Sequence, residues 1–281
     1  MSSMAHGAGQ GGSCIWWQGG LRHGAEAQIS LQSAGLLVGE GVFETLAVRG
    51  GIVEAARLHH ERWKKSAETL DLAVPDFDTV MEATRSLLAA EGRTEARLRW
   101  TLVRDDHSRP MWWAMLAPLP VWPETETVVI SPWKCHSQNA MAGVKTTSYA
   151  AQVRIKREAE QRGAGEALIA NERDELCEGS SSNVFVVREG VLWTPPLESG
   201  CLAGVTRALV LEAAAEMGLS CRVEAVPMAW LRDAAFEEMF LTSSTRGVHA
   251  VSRVENHPFE APGSVTAQLR EAWEMSPGSP R

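Results

Sequence analysis

Tyrosine is almost missing from this chain: Tyr149 is the only one, against eleven tryptophans and six phenylalanines. Phenol hydroxyls are therefore scarce while aromatic surface is not. Lysine is nearly as sparse. Lys64, Lys65, Lys134, Lys145 and Lys156 are the whole set, and arginine carries the rest of the basic charge. Basic charge is itself in deficit, 27 Lys and Arg against 35 Asp and Glu, for a net charge of −8. That balance argues against a nucleic acid or an anionic membrane surface as the main partner. No apolar run approaches the roughly 20 residues a membrane-spanning helix needs. The five cysteines are odd in number and lie far apart with no CxxC pair, which fits a reduced, cytoplasmic protein and offers no zinc framework. His59 and His60 are adjacent but belong to no HExxH, so no metal site is expected. The opening "MSSMAHGAGQGGS" has neither the basic nor the apolar region of a signal peptide, and reads as an unstructured leader.

What is present is the composition of a soluble globular protein, 44% hydrophobic and 22% charged over 281 residues, long enough for a sizeable core and two domains. Alternation marks a strand over 42–48, "VFETLAV", and "RGG" turns it into "IVEA". Residues 55–71 read as a helix with Leu58, Trp63, Ala67 and Leu70 on its apolar face. Pro75 and Asp76 end it and start another through about Ala90. Strands are expected in "EARLRWTLVRD", "MWWAMLAPL" and "ETVVIS". Beyond an irregular junction come a helix stopped at Gly163, a short strand "EALIAN", and a hairpin "SNVFVVREGVLWTPP" turning on Glu189-Gly190. A helix "GVTRALVLEAAAEMG", a strand "EEMFLTSS" and a helix "GSVTAQLREAWEM" complete the chain. The expected fold class is α+β, mixed α and β. Its expected parts are a leader (1–14), an N-terminal α/β domain (15–132), a linker (133–143), a C-terminal domain (144–274) and a tail (275–281).

Lys145 differs from the other lysines. In "GVKTTSYAAQ" its neighbours Gly143, Val144, Thr146, Thr147 and Ser148 are small and uncharged, and a helix follows. A lysine partly desolvated in such a site has a lowered pKa and becomes a nucleophile or Schiff-base former; the alternative is an ordinary surface lysine. Lys64, Lys65 and Lys156 sit among charged helical residues and read as solvated. Glu178 precedes a Gly-Ser turn into an apolar strand, aimed either into a cleft or into solvent. No GxSxG elbow accompanies those serines, so a serine hydrolase is not supported. Gly204, Val205 and Thr206 open a helix whose free N–H groups and hydroxyl suit an anion. "LTSSTRGV" adds hydroxyls at Thr242, Ser243, Ser244 and Thr245, the second half of the same cup or only a polar loop. Gly39 and Gly41 precede a strand instead of leaving one, which rules out a dinucleotide loop. Arg62, in isolation, reads as half of a surface ion pair.

The order of these segments carries more than any one of them. "GEGVFETL", "HHERWKKSAETL", "VKTTSY", "EALIANERDELCEGSSSNVFVV", "TPPLESGCLAGVTR" and "MFLTSSTRGV" together resemble the class IV aminotransferases over roughly residues 15 to 260. That family comprises the fold-type IV pyridoxal-phosphate enzymes, among them branched-chain and D-amino-acid transaminases and 4-amino-4-deoxychorismate lyase. The resemblance implies a smaller N-terminal α/β domain, a larger C-terminal pseudo-barrel domain that binds the cofactor pyridoxal 5'-phosphate, and a homodimer. It implies that Lys145 forms the Schiff base and shuttles the proton, and that Glu178 pairs with the pyridine nitrogen. Arg62, the backbone at Val205 and Thr206, and the hydroxyls of Ser243 and Ser244 would hold the phosphate, with Tyr149 near the phenolic oxygen. The spacing from Lys145 to Tyr149 is one residue shorter than is usual in branched-chain enzymes. Gln32 replaces a common aspartate and Ala203 a usual proline.

"GVFETL" and "SSTRGV" look closest to the aminodeoxychorismate lyase branch, so the expected reaction is conversion of that substrate to 4-aminobenzoate and pyruvate. Arg104 and Arg246 are then candidate carboxylate binders. A transaminase of D- or branched-chain amino acids, with 2-oxoglutarate or pyruvate as acceptor, is the alternative. A cofactor-free binding protein on the same fold is a remote third reading.

Overall fold

The computed structural model describes residues 14–275. The expected leader and tail lie outside those residues, except Cys14, which begins the first strand, and Met275, which ends the last helix.

Two sheets organise the described residues. The first contains β1 (Cys14–Trp17), β2 (Gly20–His23), β3 (Gly41–Arg49), β4 (Ile52–Val53), β5 (Ala96–Arg104) and β6 (Pro110–Ala117), in the order β2-β1-β6-β5-β3-β4 and antiparallel throughout. A short helix α1 (Ala34–Leu37) precedes β3, and α2 (Ala56–Glu68) and α3 (Phe77–Glu91) pack on one face. Asp76 caps α3 by accepting from the Thr79 N–H at 2.9 Å, which satisfies an otherwise unpaired donor. Val42, Leu46 and Val48 of β3 meet Trp63 and Ala67 of α2 and Trp100 of β5, all fully buried.

The second sheet holds β7 (Glu126–Ile130), β8 (Glu166–Ala170), β9 (Leu176–Gly179), β10 (Asn183–Arg188), β11 (Val191–Thr194), β12 (Cys221–Val223), β13 (Glu238–Ser243), β14 (Gly247–Val254) and β15 (His257–Pro258). Its order is β12-β11-β10-β13-β14-β7-β8-β9, with β15 on β14. The end strand β9 turns through Ser180–Ser182 directly into β10, near the other end of that order, so the sheet curls on itself. Helices α4 (Ala150–Gln161), α5 (Val205–Glu216), α6 (Met228–Arg232) and α7 (Ser264–Met275) belong to this half. β7 and β8 are parallel and joined through α4, a crossover that parallel pairing demands. Every residue of β8 is buried, as a strand covered on both faces must be.

The structure corrects two expectations. The strand "ETVVIS" was expected in the N-terminal unit, yet β7 hydrogen-bonds between β14 and β8. The change of sheet therefore falls at 118–125, ahead of the expected linker. Lys156 is not solvated: it is 7% exposed and its Nζ bonds the Gly165 carbonyl. Its helix lies on the curled sheet, with Ile155 and Ala159 beside it in the core. Glu178 lies within β9, opposite Ile169 of β8, just ahead of the Ser180–Ser182 turn into β10, as its place in the sequence implied.

Candidate functional site

The site lies where the two sheets meet. The stretch carrying Lys145 runs against β3: Phe43 N–H donates to the Lys145 carbonyl at 2.9 Å and Thr147 N–H to the Gly41 carbonyl at 2.8 Å. The Lys145 N–H reaches Ser66 Oγ of α2 at 3.3 Å. Lys145 Nζ stands 4.6 Å from the centre of the Phe43 ring and 5.8 Å from that of Tyr149. The side chain keeps an open solvent face but is set deep among protein atoms. That desolvation, and next the Arg62 charge, brings its pKa down to about 8.

Strand alternation sends Glu44 of β3 toward α2, beside Val42 and Leu46, and Phe43 to the opposite face. Glu44 is fully buried. Arg62 grips it with two bonds, Nε to Oε1 at 2.8 Å and Nη2 to Oε2 at 2.6 Å, and His59 Nδ1 lies 2.7 Å from Oε2. Burial raises this carboxyl, but the Arg62 charge, His59 and the hydrogen bonds from both together outweigh it and hold the pKa at about 2. Burial pushes His59 down, and Arg62 and Lys145 add to the effect against the pull of Glu44. Glu44 is thus an anion and His59 a neutral ring near neutrality. The opposite face of α2, Arg57, His60, Glu61 and Lys64, borders a separate surface cavity of about 450 Å³.

Arg62 also donates through Nη1 to the Ala203 carbonyl at 3.1 Å, which brings α2 to the start of α5. That start has no side-chain cap on Gly204, so the N–H groups of Val205 and Thr206 face outward at the positive end of the helix. A Cβ at 204 would stand 1.8 Å from Asn183 Oδ1, so any larger residue would have to displace that side chain. Ser244, past the end of β13, lies 3.1 Å from His59 Nε2 and closes this cup; Ser243 is the last residue of β13, opposite Gly247.

Glu178 Oε2 accepts the Leu202 N–H at 2.9 Å. Burial raises its pKa to about 7 against that bond and the Lys145 charge. The Tyr149 hydroxyl makes a long 3.5 Å contact to the Ser180 carbonyl, and burial followed by Glu178 raises its pKa. Lys145, Tyr149, Glu178, Arg62, Val205, Thr206 and Ser244 are therefore drawn into one region.

Arg104 and Arg246 are not. Arg104 donates to Glu40, to the Leu70 carbonyl and to the Ser108 carbonyl. The Arg246 side chain is 1% exposed and bound to Glu126 at 2.9 Å and Glu166 at 3.3 Å, under the Trp122 ring. As carboxylate binders both are corrected here: their charges are spent within the protein. The cation that does face the site was missed. Arg99 of β5 lies 3.7 Å over the Phe43 ring and donates from Nε to Thr101, with no carboxylate in salt-bridge contact among the described residues. Burial, then the neighbouring Arg97 charge, lowers its pKa to about 10. Glu44 and His59 were missed as well. The available signal was an acid at an inward position of an apolar strand, "VFETLAV", and a histidine three residues before Arg62 on the same helix.

The donor set fits a phosphorylated pyridine aldehyde. An uncapped helix start, a guanidinium and a hydroxyl suit the phosphate, a depressed lysine suits the aldehyde, and a carboxyl poised near neutrality suits the ring nitrogen.

Residues 41–254 match the model of the class IV amino-transferases, and the chain belongs to that family. It is accordingly a pyridoxal 5'-phosphate-dependent enzyme. It is 32% identical over 270 residues to a probable branched-chain-amino-acid aminotransferase of Thermotoga maritima, covering 92% of this chain and 94% of the relative. It is 25% identical over 275 residues to a D-alanine aminotransferase of Staphylococcus aureus, covering 89% and 93%. The crystal structure of a branched-chain aminotransferase from Thermoproteus uzoniensis with norvaline superposes with a TM-score of 0.88 at 26% identity, covering 94% of each chain. The fold is the fold-type IV architecture. Among the described residues no helix is long and apolar enough to cross a membrane.

Proposed function

We propose that the protein is an amino-acid transaminase that takes small apolar amino acids as donors and a dicarboxylic 2-oxo acid as acceptor. One observation carries this reading: the Phe43 ring lies within 4.6 Å of Lys145 Nζ and 3.7 Å of the Arg99 guanidinium. An apolar surface and a carboxylate-binding cation thus flank the same amine. Such a site takes an apolar side chain against the ring in one half-reaction and an acidic one against Arg99 in the other. The expected lyase gives way to the transaminase because the relatives reported above are branched-chain and D-alanine aminotransferases.

Pyridoxal 5'-phosphate, when bound, supplies an aldehyde that condenses with amines and a ring that accepts the electron pair released at the substrate α-carbon. The geometry supports the following roles for the chain. Lys145, with a pKa of about 8, would take up and give back the proton at the substrate α-carbon. Glu178 would pair with the ring nitrogen and favour a proton there, and a cation at that nitrogen would hold this carboxyl ionised. Arg62, the N–H groups of Val205 and Thr206, and Ser244 would hold the phosphate, with Ser243 adjoining at the end of β13. The loosely engaged Tyr149 hydroxyl donates to the phenolic oxygen.

The test is a panel of half-reactions on the purified, yellow protein. Leucine and D-alanine are each added without an acceptor, and turnover is read as conversion of the cofactor to its amine form. Release of pyruvate from aminodeoxychorismate without any 2-oxo acid would overturn the proposal in favour of the lyase. Lys145→Ala should lose the yellow colour. A homodimer is part of the reading, supported by an exposed apolar run at Leu31, Leu36, Leu37 and Val38. Ser148 Oγ contacts the Val38 carbonyl, so this run adjoins the Lys145 segment. Sedimentation of a monomer would refute it.

A further inference from the structure

His59 has two ring nitrogens and both are engaged. Nδ1 is 2.7 Å from Glu44 Oε2 and Nε2 is 3.1 Å from Ser244 Oγ. Glu44 can only accept, so Nδ1 carries a hydrogen and donates to it. The 3.4 Å separation between Nδ1 and Arg62 Nη2 is then an approach of two donors and not a bond. A neutral ring with its hydrogen on Nδ1 leaves a lone pair on Nε2. Ser244 must donate its only hydrogen to that lone pair, and the oxygen it presents to the cup has lone pairs alone. A phosphate dianion, which also only accepts, would be repelled by the group expected to bind it.

We propose that His59 is the proton-carrying positioning residue of the phosphate site, taking up one proton when a phosphate ester binds and so turning the Ser244 hydroxyl outward to the anion. The proton comes from solvent and forms an N–H bond at Nε2. The Ser244 O–H···Nε2 bond is exchanged for Nε2–H···Oγ, and the released hydroxyl hydrogen bonds a phosphate oxygen. The inference rests on the reading of Arg62, Val205, Thr206 and Ser244 as the phosphate cup.

The surroundings set the direction. The charged groups facing His59 are Glu44 from β3, Arg62 from its own helix and Lys145 from the segment before α4. With burial and two cations against one anion, the unliganded ring stays neutral. A dianion beside Ser244 and Arg62 offsets those cations and favours the imidazolium. Phosphate affinity and proton affinity are then linked: each strengthens the other.

The experiment uses the full-length protein, histidine-labelled with ¹⁵N, at pH 8. Three states are compared: stripped of cofactor, saturated with inorganic phosphate, and carrying pyridoxal 5'-phosphate. Long-range ¹H–¹⁵N spectra report the ring, with His59→Gln assigning the signal. The expected result is a neutral ring with its hydrogen on Nδ1 in the stripped protein, and an imidazolium in the other two. Calorimetry in buffers of different ionisation heat should count about one more proton per phosphate in wild type than in His59→Gln. A ring that stays neutral with phosphate bound overturns this proposal and leaves the phosphate cup standing. Failure of phosphate to bind, or to compete with pyridoxal 5'-phosphate, overturns the cup and the proposal together. A merely structural histidine would move neither the spectrum nor the proton count.

Discussion

Replacing Glu44 by glutamine removes the charge at the centre of the buried cluster while keeping its shape. The folded carboxyl sits at about 2 against an ordinary 4.5, because Arg62 and then His59 outweigh its burial. A difference of this size is worth about 3 kcal/mol, at 1.36 kcal/mol per unit, and the carboxyl is fully buried, so solvent does not screen it. The folded value lies below the unfolded one. The stabilisation is therefore complete above pH 4.5 and is lost as pH falls through 2, with about 2 kcal/mol gone by pH 3. Glu44→Gln also strands the Arg62 guanidinium, 11% exposed, and losing one partner of such a pair costs about 3–5 kcal/mol. Urea unfolding at pH 7 should show the variant less stable by that amount. At pH 3 the gap between wild type and variant should narrow by about 2 kcal/mol. Equal stability at pH 7, or a gap that does not change with pH, would refute the charge assignment.

Three further outcomes follow from the same geometry. In the stripped protein, capture of an aldehyde by Lys145 should be half-maximal near pH 8, and Arg62→Met should raise that midpoint by removing a repelling charge; stopped-flow absorbance against pH reads both. Glu178→Gln should retain bound cofactor yet lower kcat by roughly 10²–10³, the scale for losing one group that stabilises developing charge. Arg99→Met should raise KM for 2-oxoglutarate roughly 10–100-fold, the worth of a charged hydrogen bond, with little change in KM for leucine. Equal changes for both substrates would remove Arg99 from acceptor recognition.

Local periodicity was sufficient for most elements. The "VFETLAV" strand, the hairpin on Glu189-Gly190, and helices α2, α3, α4, α5 and α7 were all legible, because each pattern reports only whether its own residues alternate or recur. The small, uncharged neighbours of Lys145 and the uncapped start at Gly204 were likewise local signals. The second sheet was harder. β14 makes three pairings yet was not read as a strand, since "GVHAVSRV" is buried on both faces for most of its length and does not alternate cleanly.

Charge was where local reading failed, since a charged residue looks solvated until its partner is known. Lys156 sits in a run of charges and is buried all the same. Arg246 meets Glu126 from 120 residues away, and Ser244 meets His59 from 185. The amino-acid sequence by itself determined most of the elements, singled out Lys145 and set the order of segments that marks the family. Only the tertiary structure decided which charges face the site and which neutralise one another. Composition and spacing along a chain carry local exposure, whereas the field at a side chain is set by whatever the fold brings within a few ångströms of it.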